Sequence, residues 1–343
     1  MTYVTEHSVA DTAAGRAQVL TDHAQYLIAT ASRAPSVHNS QPWRFKVGQE
    51  AVELWCDPRR RTWSDASGRE MLISCGAALF GLRLAVRSLG YQPVVDLLPD
   101  SRQLRFLARV RVGRFVPMNT LEGRMLAAVP HRHTHRGPFT EQPLPHGLLV
   151  GLQDDVMKER AELALVPRGL QYERLASLAA SAARRGDLDP RTRATIRRWT
   201  HAAQSSDRAS TQRDGIPATA FPVSSARRLR QGRLPQRDFD LGRNIGLLPA
   251  GGEPPAATAI LFTRDDRRAD WLHAGQALNR LLLHAASEWV FASLHSQPLE
   301  DAVTRTLIHD QLSLPGHPQM VLQFGRAANA PATARRPPDE LAT

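Results

Sequence analysis

The sequence has little that would place the chain outside a reduced, aqueous compartment. Cys56 and Cys75 are the two cysteines in 343 residues, too few for a disulfide framework and in keeping with a cytoplasmic protein. No run of about 18 uninterrupted apolar residues occurs, because Arg, His or Glu breaks the longest Leu/Ala-rich segments, so no membrane span is expected. Residues 1–20 contain Glu6, Asp11 and Arg16 and lack an apolar signal core, which argues against export. Aromatic residues make up 6% of the chain, and neither a stacking platform nor a recognition-helix motif is visible. Nucleic acid is therefore not an expected partner. Acidic residues are in deficit: 44 Lys+Arg stand against 33 Asp+Glu, a net charge of +11, nearly all of it Arg. The arginines are scattered or lie on polar helix faces, a surface that suits an anionic ligand such as a phosphate. No Gly-x-Gly-x-x-Gly follows a strand, so a separate Rossmann nicotinamide site is not expected.

A hydrophobic fraction of 42% is enough for an ordinary core, and the length suggests one large or two intimate domains. Helical spacing of Ala24, Leu27, Ile28 and Ala31 predicts a helix over 21–34 that stops before Pro35. Short strands are expected at Trp43–Lys46 and Ala51–Cys56, then a strong helix over 69–90 ending at Gly90. Strands follow at Val94–Leu98 and Leu104–Val112, helices at Leu121–Ala128 and His146–Lys158, and a strand at Glu162–Val166. The stretch 200–256 is rich in Ser, Arg, Gly and Pro, with weak periodicity. It reads as a long loop or lid with short helices, Gly215, Pro217, Pro222, Gly232 and Pro235 among its turn residues. A strand at Ala257–Phe262, a helix over 270–290 and a strand at Gln319–Phe324 precede an extended Pro/Ala/Arg-rich tail from Ala327. The class is α+β.

One internal similarity stands out. Cys75–Ser88 aligns with Ala274–Ser287 at a constant offset of 199 residues, with Gly76/Gly275, Ala78/Ala277, Leu79/Leu278, Leu82/Leu281, Leu84/Leu283 and Ser88/Ser287 identical. A duplicated α+β unit accounts for this and predicts a pseudo-dimer within one chain. Cys75 then belongs to a core helix and Cys56 to a strand, both packed and unreactive.

Four segments carry chemistry. In Arg33-Ala-Pro-Ser-Val-His-Asn-Ser-Gln-Pro-Trp-Arg-Phe45, a helix end is followed by hydroxyl and amide side chains and backbone N–H groups, donors and acceptors suited to a heteroaromatic edge. In Arg132-His133-Thr134-His135-Arg136-Gly-Pro-Phe139, two guanidinium groups and a hydroxyl can converge on a phosphate. His131, His133 and His135 alternate along an extended segment, which would splay them, and no carboxylate is near in sequence, so a metal is not expected. Ala334-Arg335-Arg336-Pro337 adds two bases near the C-terminus, and Ser293-Leu-His-Ser-Gln-Pro-Leu-Glu300 follows the second long helix.

The Pro-Ser segment resembles the Pro-Ser-x-x-Asn-x-Gln-Pro-Trp signature of FMN-dependent nitroreductases, and its His38/Ser40 variant is similar to the Acg-type subfamily. The segment Arg132–Phe139 resembles the family's phosphate-gripping motif. Ala334–Pro337 is similar to the Arg-Pro segment that completes the phosphate site, and Leu314–Gly325 to the family's final loop and strand. Ser293–Glu300 is similar to the turn that approaches flavin N5, but keeps Pro298 and Glu300 while placing Asp301 where Gly is common. Arg213-Asp-Gly-Ile-Pro217 is similar to another Acg-type segment and would bring Arg213 toward the flavin pyrimidine.

The resemblance implies a nitroreductase-like fold of two tandem degenerate copies, with halves at 1–129 and 130–343 and a lid insertion around 200–256. It implies FMN held by Pro35, Ser36, His38, Asn39, Gln41, Arg132, His133, Thr134, Arg136, Arg213, Pro298, Glu300, Arg335 and Arg336. The family's FMN lies at a dimer interface, and here the Pro-Ser loop lies in the first half and the Arg motif in the second. That arrangement fits a fused dimer with one complete site retained, and hence a monomer with at most weak further association. The implied activity is ping-pong hydride transfer from NAD(P)H through FMN to a small-molecule acceptor, a nitroaromatic or quinone-type electrophile. The alternative is an FMN-storing stress protein without nitroreductase turnover. No catalytic residue is assigned, with His38 and His295 placed to face the ring.

Overall fold

The computed structural model describes residues 13–201, 213–223, 234–249, 253–329 and 333–342; the rest of the expected lid falls outside them. Two four-stranded antiparallel sheets carry the fold. The first comprises β1 (Trp43–Val47), β2 (Val52–Cys56), β3 (Tyr91–Leu97) and β4 (Phe106–Phe115), in the order β1-β2-β4-β3. After β5 (Glu162–Leu165), two-residue strands β6 (Thr200–His201) and β7 (Ile216–Pro217) pair parallel, apart from both sheets. β8 (Ala257–Thr263), β9 (Val290–His295) and β10 (His317–Arg326) complete the second sheet, in the order β5-β8-β10-β9. Strand for strand the two orders are the same. Each sheet also has a 20-residue helix between its second and third strands, Arg69–Ser88 and Arg268–Ser287.

These two central helices cross where the repeated glycines meet. A Cβ on Gly76 would lie 2.3 Å from the Leu272 carbonyl oxygen, and one on Gly275 would lie 2.0 Å from that of Ile73. Each glycine faces the residue three positions before its counterpart, as expected if the two helices are related by a two-fold. Only a residue without a side chain permits that approach. The first helix is long and apolar enough, by length and composition, to cross a membrane, but 83% of its most apolar window is buried inside the protein.

The strand patterns follow from what covers each face. Val52, Leu54 and Cys56 on β2 point inward and alternate with half-buried residues. β10 is buried almost continuously, Gln319 and Gln323 included, because both its faces are covered. Met320, Leu322 and Phe324 join the core beneath the second central helix, while Val321 packs with Leu175 of the helix Leu170–Leu188, Ile308 of the helix Ala302–Gln311, and Leu312 just past the end of the latter.

Several elements differ from expectation. The first helix is two, Ala13–Asp22 and Ala24–Ser32, separated at His23, whose backbone is not helical. The latter ends before Pro35. β9 and the helix Ala302–Gln311 carry no strong sequence signal: β9 is short and buried, and the helix is short and polar, capped by the Asp301 carboxylate. Within 200–256, the described residues build a small core of Ile216, Ala218, Ala220, Phe221, Phe239 and Ile245.

Candidate functional site

The Pro-Ser segment leaves the helix Ala24–Ser32 and turns through Val37–Asn39 before entering β1. His38, Asn39 and Gln41 have φ of +52°, +56° and +49°, a left-handed conformation that costs a non-glycine residue roughly 1–2 kcal/mol. The surroundings hold it in place. Gln41 N–H donates to Ser36 Oγ at 3.0 Å, Gln41 Nε2 to the Arg213 carbonyl at 2.8 Å, and Arg336 N–H to Gln41 Oε1 at 2.9 Å. Asn39 Nδ2 donates to the carbonyls of Gly215 and Ala334, both at 3.0 Å. Segments far away in sequence therefore fix the turn that presents Pro35, Ser36 and His38 to a cleft.

That cleft lies between the two sheet units. The first contributes the Pro-Ser turn with Glu70, Ile73 and Ser74 of its central helix. The second contributes Thr134–Arg136, Leu278, Ser293–Gln297 and Met320. Residues 235–239 form a further wall, strapped down by the buried Arg237–Glu300 ion pair, by Phe239 edge-on to His38 at 5.8 Å, and by Leu234 N–H donating to Gln323 Oε1 at 3.2 Å.

The Arg segment runs beside β9. His135 N–H donates to the Ala292 carbonyl, and Ser293 Oγ donates to the His135 carbonyl, both at 2.9 Å. This carries Arg132, Thr134 and Arg136 to a small polar cavity shared with Ser36, Asn39 and Arg335. The C-terminal tail returns to the first sheet, where Ala342 bridges to Phe45, and so delivers Arg335. Arg335 donates to the carbonyls of Ser32 and Arg33 at the end of the helix Ala24–Ser32, where a cation is favoured. Arg132 Nη2 donates to the Arg33 carbonyl at 2.9 Å, while its Nη1 is buried without a partner. Burial pulls the Arg132 and Arg136 guanidinium groups down to about 10, with the Arg33 charge adding to the effect on Arg132; burial and then Arg132 and Arg33 act the same way on Arg335. Among the described residues no carboxylate pairs with any of the three. Cations gathered in a partly buried cavity with no counter-charge among the described residues can hold an anion.

No family model matches the chain. It is 31% identical over 336 residues to a Mycobacterium tuberculosis protein named "Putative NAD(P)H nitroreductase acg", covering 94% of this chain and 96% of that one. A second protein of that organism, "Putative NAD(P)H nitroreductase Rv3131", is 31% identical over 316 residues, covering 90% of this chain and 88% of that one. The chain belongs to the Acg-type nitroreductase family. Among solved structures, a nitroreductase-like family protein from Bacillus cereus is similar at 14% identity and a TM-score of 0.35, over 63% of this chain and 92% of that chain.

Of the residues that the Acg-type resemblance singles out, Pro35, Ser36, Asn39, Arg132, Thr134, Arg136 and Arg335 line the small cavity, and His38 lines the cleft. Gln41 is fully buried and ties the turn to the tail. His133 lies outside both cavities. It packs on Phe291 at 4.4 Å, and burial pushes its imidazole down to about 3, so it is neutral. Arg336 turns away to Glu340. Arg213 supplies only its carbonyl, its side chain being exposed. Pro298 is buried behind the cleft wall, and Glu300 holds Arg237. Both cysteines are buried and free, and burial raises their thiols above the usual range.

Three cleft residues, Glu70, Arg237 and Phe239, were not among the sequence candidates. Glu70 carries a signal: it sits one turn before Ser74, at the start of a stretch of the central helix that has no other charged residue from Met71 to Leu82. Arg237 and Phe239 carry none, since they lie in an aperiodic stretch.

Proposed function

We propose that this protein binds FMN in the cleft between its two sheet units and acts as an NAD(P)H-dependent oxidoreductase on nitroaromatic or quinone-type electrophiles. The observation that carries the reading is the cavity of Arg132, Arg136, Arg335, Ser36 and Thr134, which opens beside an apolar-walled cleft. Its donor set matches a phosphate dianion, and the unpartnered Arg132 Nη1 is a donor still awaiting an acceptor. Arg132, Arg335 and the two hydroxyls would hold the phosphate. Ser36 and the 35–38 backbone would orient the ring edge, and Ile73, Leu278 and Met320 would exclude water. The flavin, when bound, supplies hydride acceptance from the nicotinamide and donation to the electrophile. The names of the M. tuberculosis relatives support the activity, and the shared strand order and glycine crossing support a fused pseudo-dimer with halves near 1–129 and 130–343.

A sequestering role is the second reading, favoured by the 235–239 wall and its Arg237–Glu300 latch. A visible spectrum of the purified protein, repeated after anaerobic NADPH and NADH, separates the two. Flavin bands that bleach support turnover. Bands that persist with both donors but bleach with dithionite support sequestration. An absence of bands, with no uptake of added FMN, rejects both.

A further inference from the structure

Within the cleft, one buried carboxyl accepts no hydrogen bond. Glu70 is 3% exposed, lines the cleft beside Ser74 and His38, and has both carboxyl oxygens buried without a hydrogen-bond partner. Its neighbour Arg69 comes no closer than 3.8 Å and is committed elsewhere, to the Gln319 carbonyl at 3.0 Å, Gln319 Oε1 at 3.1 Å and the Leu299 carbonyl at 3.2 Å. Asp65 caps the same helix, accepting from the backbone N–H groups of Glu70 and Met71 at 3.0 and 2.9 Å, and so brings a second carboxylate close. Glu300 approaches from the far wall, its charge answered by Arg237. A buried carboxylate that accepts no hydrogen bond, with its nearest cation at 3.8 Å and other carboxylates close by, is too costly to keep charged, so it retains its proton.

We propose that Glu70 is the general acid of this cleft, the group that delivers a proton to the electron acceptor. The inference rests on the oxidoreductase reading above. Conversion of a nitro to a nitroso group adds one hydride and one proton and breaks one N–O bond, the oxygen leaving as water. The hydride comes from the reduced cofactor and the proton from the Glu70 carboxyl, whose carboxylate is then reprotonated from solvent. His38 is a poor rival: burial first, and then the charges of Arg237 and Arg136, hold it well below its usual range, so at neutral pH it has no acidic proton to give. For Glu70, burial dominates, Glu300 and Asp65 push the same way, and Arg69 and Arg237 oppose them, with a net position of about 8. That position suits an acid working near neutrality.

The test uses the holoprotein and a conservative variant, Glu70→Gln. First, difference infrared spectra of wild type minus variant at neutral pH are expected to show the carbonyl stretch of a protonated carboxylic acid. That band should disappear as pH rises through about 8; its absence at neutral pH overturns the inference whether or not the protein turns over. Second, anaerobic stopped flow separates the half-reactions. NADPH reduction of the variant is expected at the wild-type rate, and reoxidation by a nitroaromatic is expected to slow by roughly 10²-fold or more. Glu70→Asp should recover part of that loss. Equal reoxidation rates in wild type and Glu70→Gln would overturn the role, while failure of wild type to be reduced at all would overturn the oxidoreductase reading instead.

Discussion

At the scale of single residues, the polar cavity carries arrangements that cost the ligand-free fold stability. Arg132, Arg136 and Arg335 crowd together with no carboxylate paired to them among the described residues, and Arg132 keeps a buried donor unpaired, each a cost to the ligand-free fold. Arg132→Met should therefore weaken FMN binding by roughly 10- to 100-fold while leaving the melting temperature of the ligand-free protein unchanged or raised. Fluorescence titration with FMN, beside a thermal melt of the flavin-free protein, reads both. Weakened binding together with a large drop in melting temperature would make Arg132 a structural residue. The types of these residues were legible in the sequence, since hydroxyls and guanidinium groups at close spacing suit a phosphate. Their division of labour was not. Arg335 and Arg336 are adjacent, yet one faces the cavity and the other Glu340, because the backbone N–H of Arg336 is held by Gln41. Likewise His133 and His135 lie side by side, Nε2 to Nδ1 at 3.3 Å, yet only His135 lines the cleft, because His133 is turned onto Phe291.

At the scale of elements, the two central helices and their crossing decide the architecture. Gly76→Ala and Gly275→Ala would each push a methyl into a backbone carbonyl, at 2.3 and 2.0 Å, and should destabilise the protein by about 1–3 kcal/mol or more in urea unfolding. Gly123→Ala is the counter-case. It sits inside the helix Thr120–Ala128 with nothing within 4 Å of its would-be Cβ, so removing backbone entropy should stabilise by up to about 1 kcal/mol. A second element-level device ties helix Leu148–Met157 to the second central helix. The fully buried Asp155 accepts from His284 Nδ1 at 2.7 Å, Arg280 Nε at 3.0 Å and Lys158 Nζ at 3.1 Å. Burial alone would raise its carboxyl, but hydrogen bonds from His284 and Arg280, with the Arg280 charge, outweigh it and hold Asp155 at about 2, below its ordinary 3.8. A depressed folded-state value means stability that is present above about pH 4 and lost as pH falls toward 2, on the order of 2 kcal/mol. Asp155→Asn should be less stable at neutral pH and show a flatter acid limb between those values, measured by urea unfolding against pH. An unchanged limb would mean that the group is not charged in the fold.

At the scale of the whole molecule, two units of the same strand order face each other across the glycine crossing, and the cleft takes residues from both. If the chain is a fused pseudo-dimer, the usual partner is already supplied, and light scattering should give a single species near 37.9 kDa; twice that mass would place a second copy on a surface outside this crossing. Residues 1–129 alone should fail to fold cooperatively, since the first central helix would lose the cover of the second, Leu272 included. What the sequence determined was local or periodic: the helix ending at Pro35, the repeated 14-residue helix pattern at its offset of 199, and the polar segments suited to a ring edge and a phosphate. Each depends on spacing along the chain, and chain spacing is visible in the letters. What only the tertiary structure decided depends on distances between residues far apart in sequence. Arg335 reaches the cavity because the tail crosses back to β1, Arg237 closes a wall because Glu300 stands opposite, and Glu70 keeps its proton because burial and two neighbouring carboxylates surround it. Desolvation and Coulomb energies are set by what stands around a group in space, and periodicity carries no record of that.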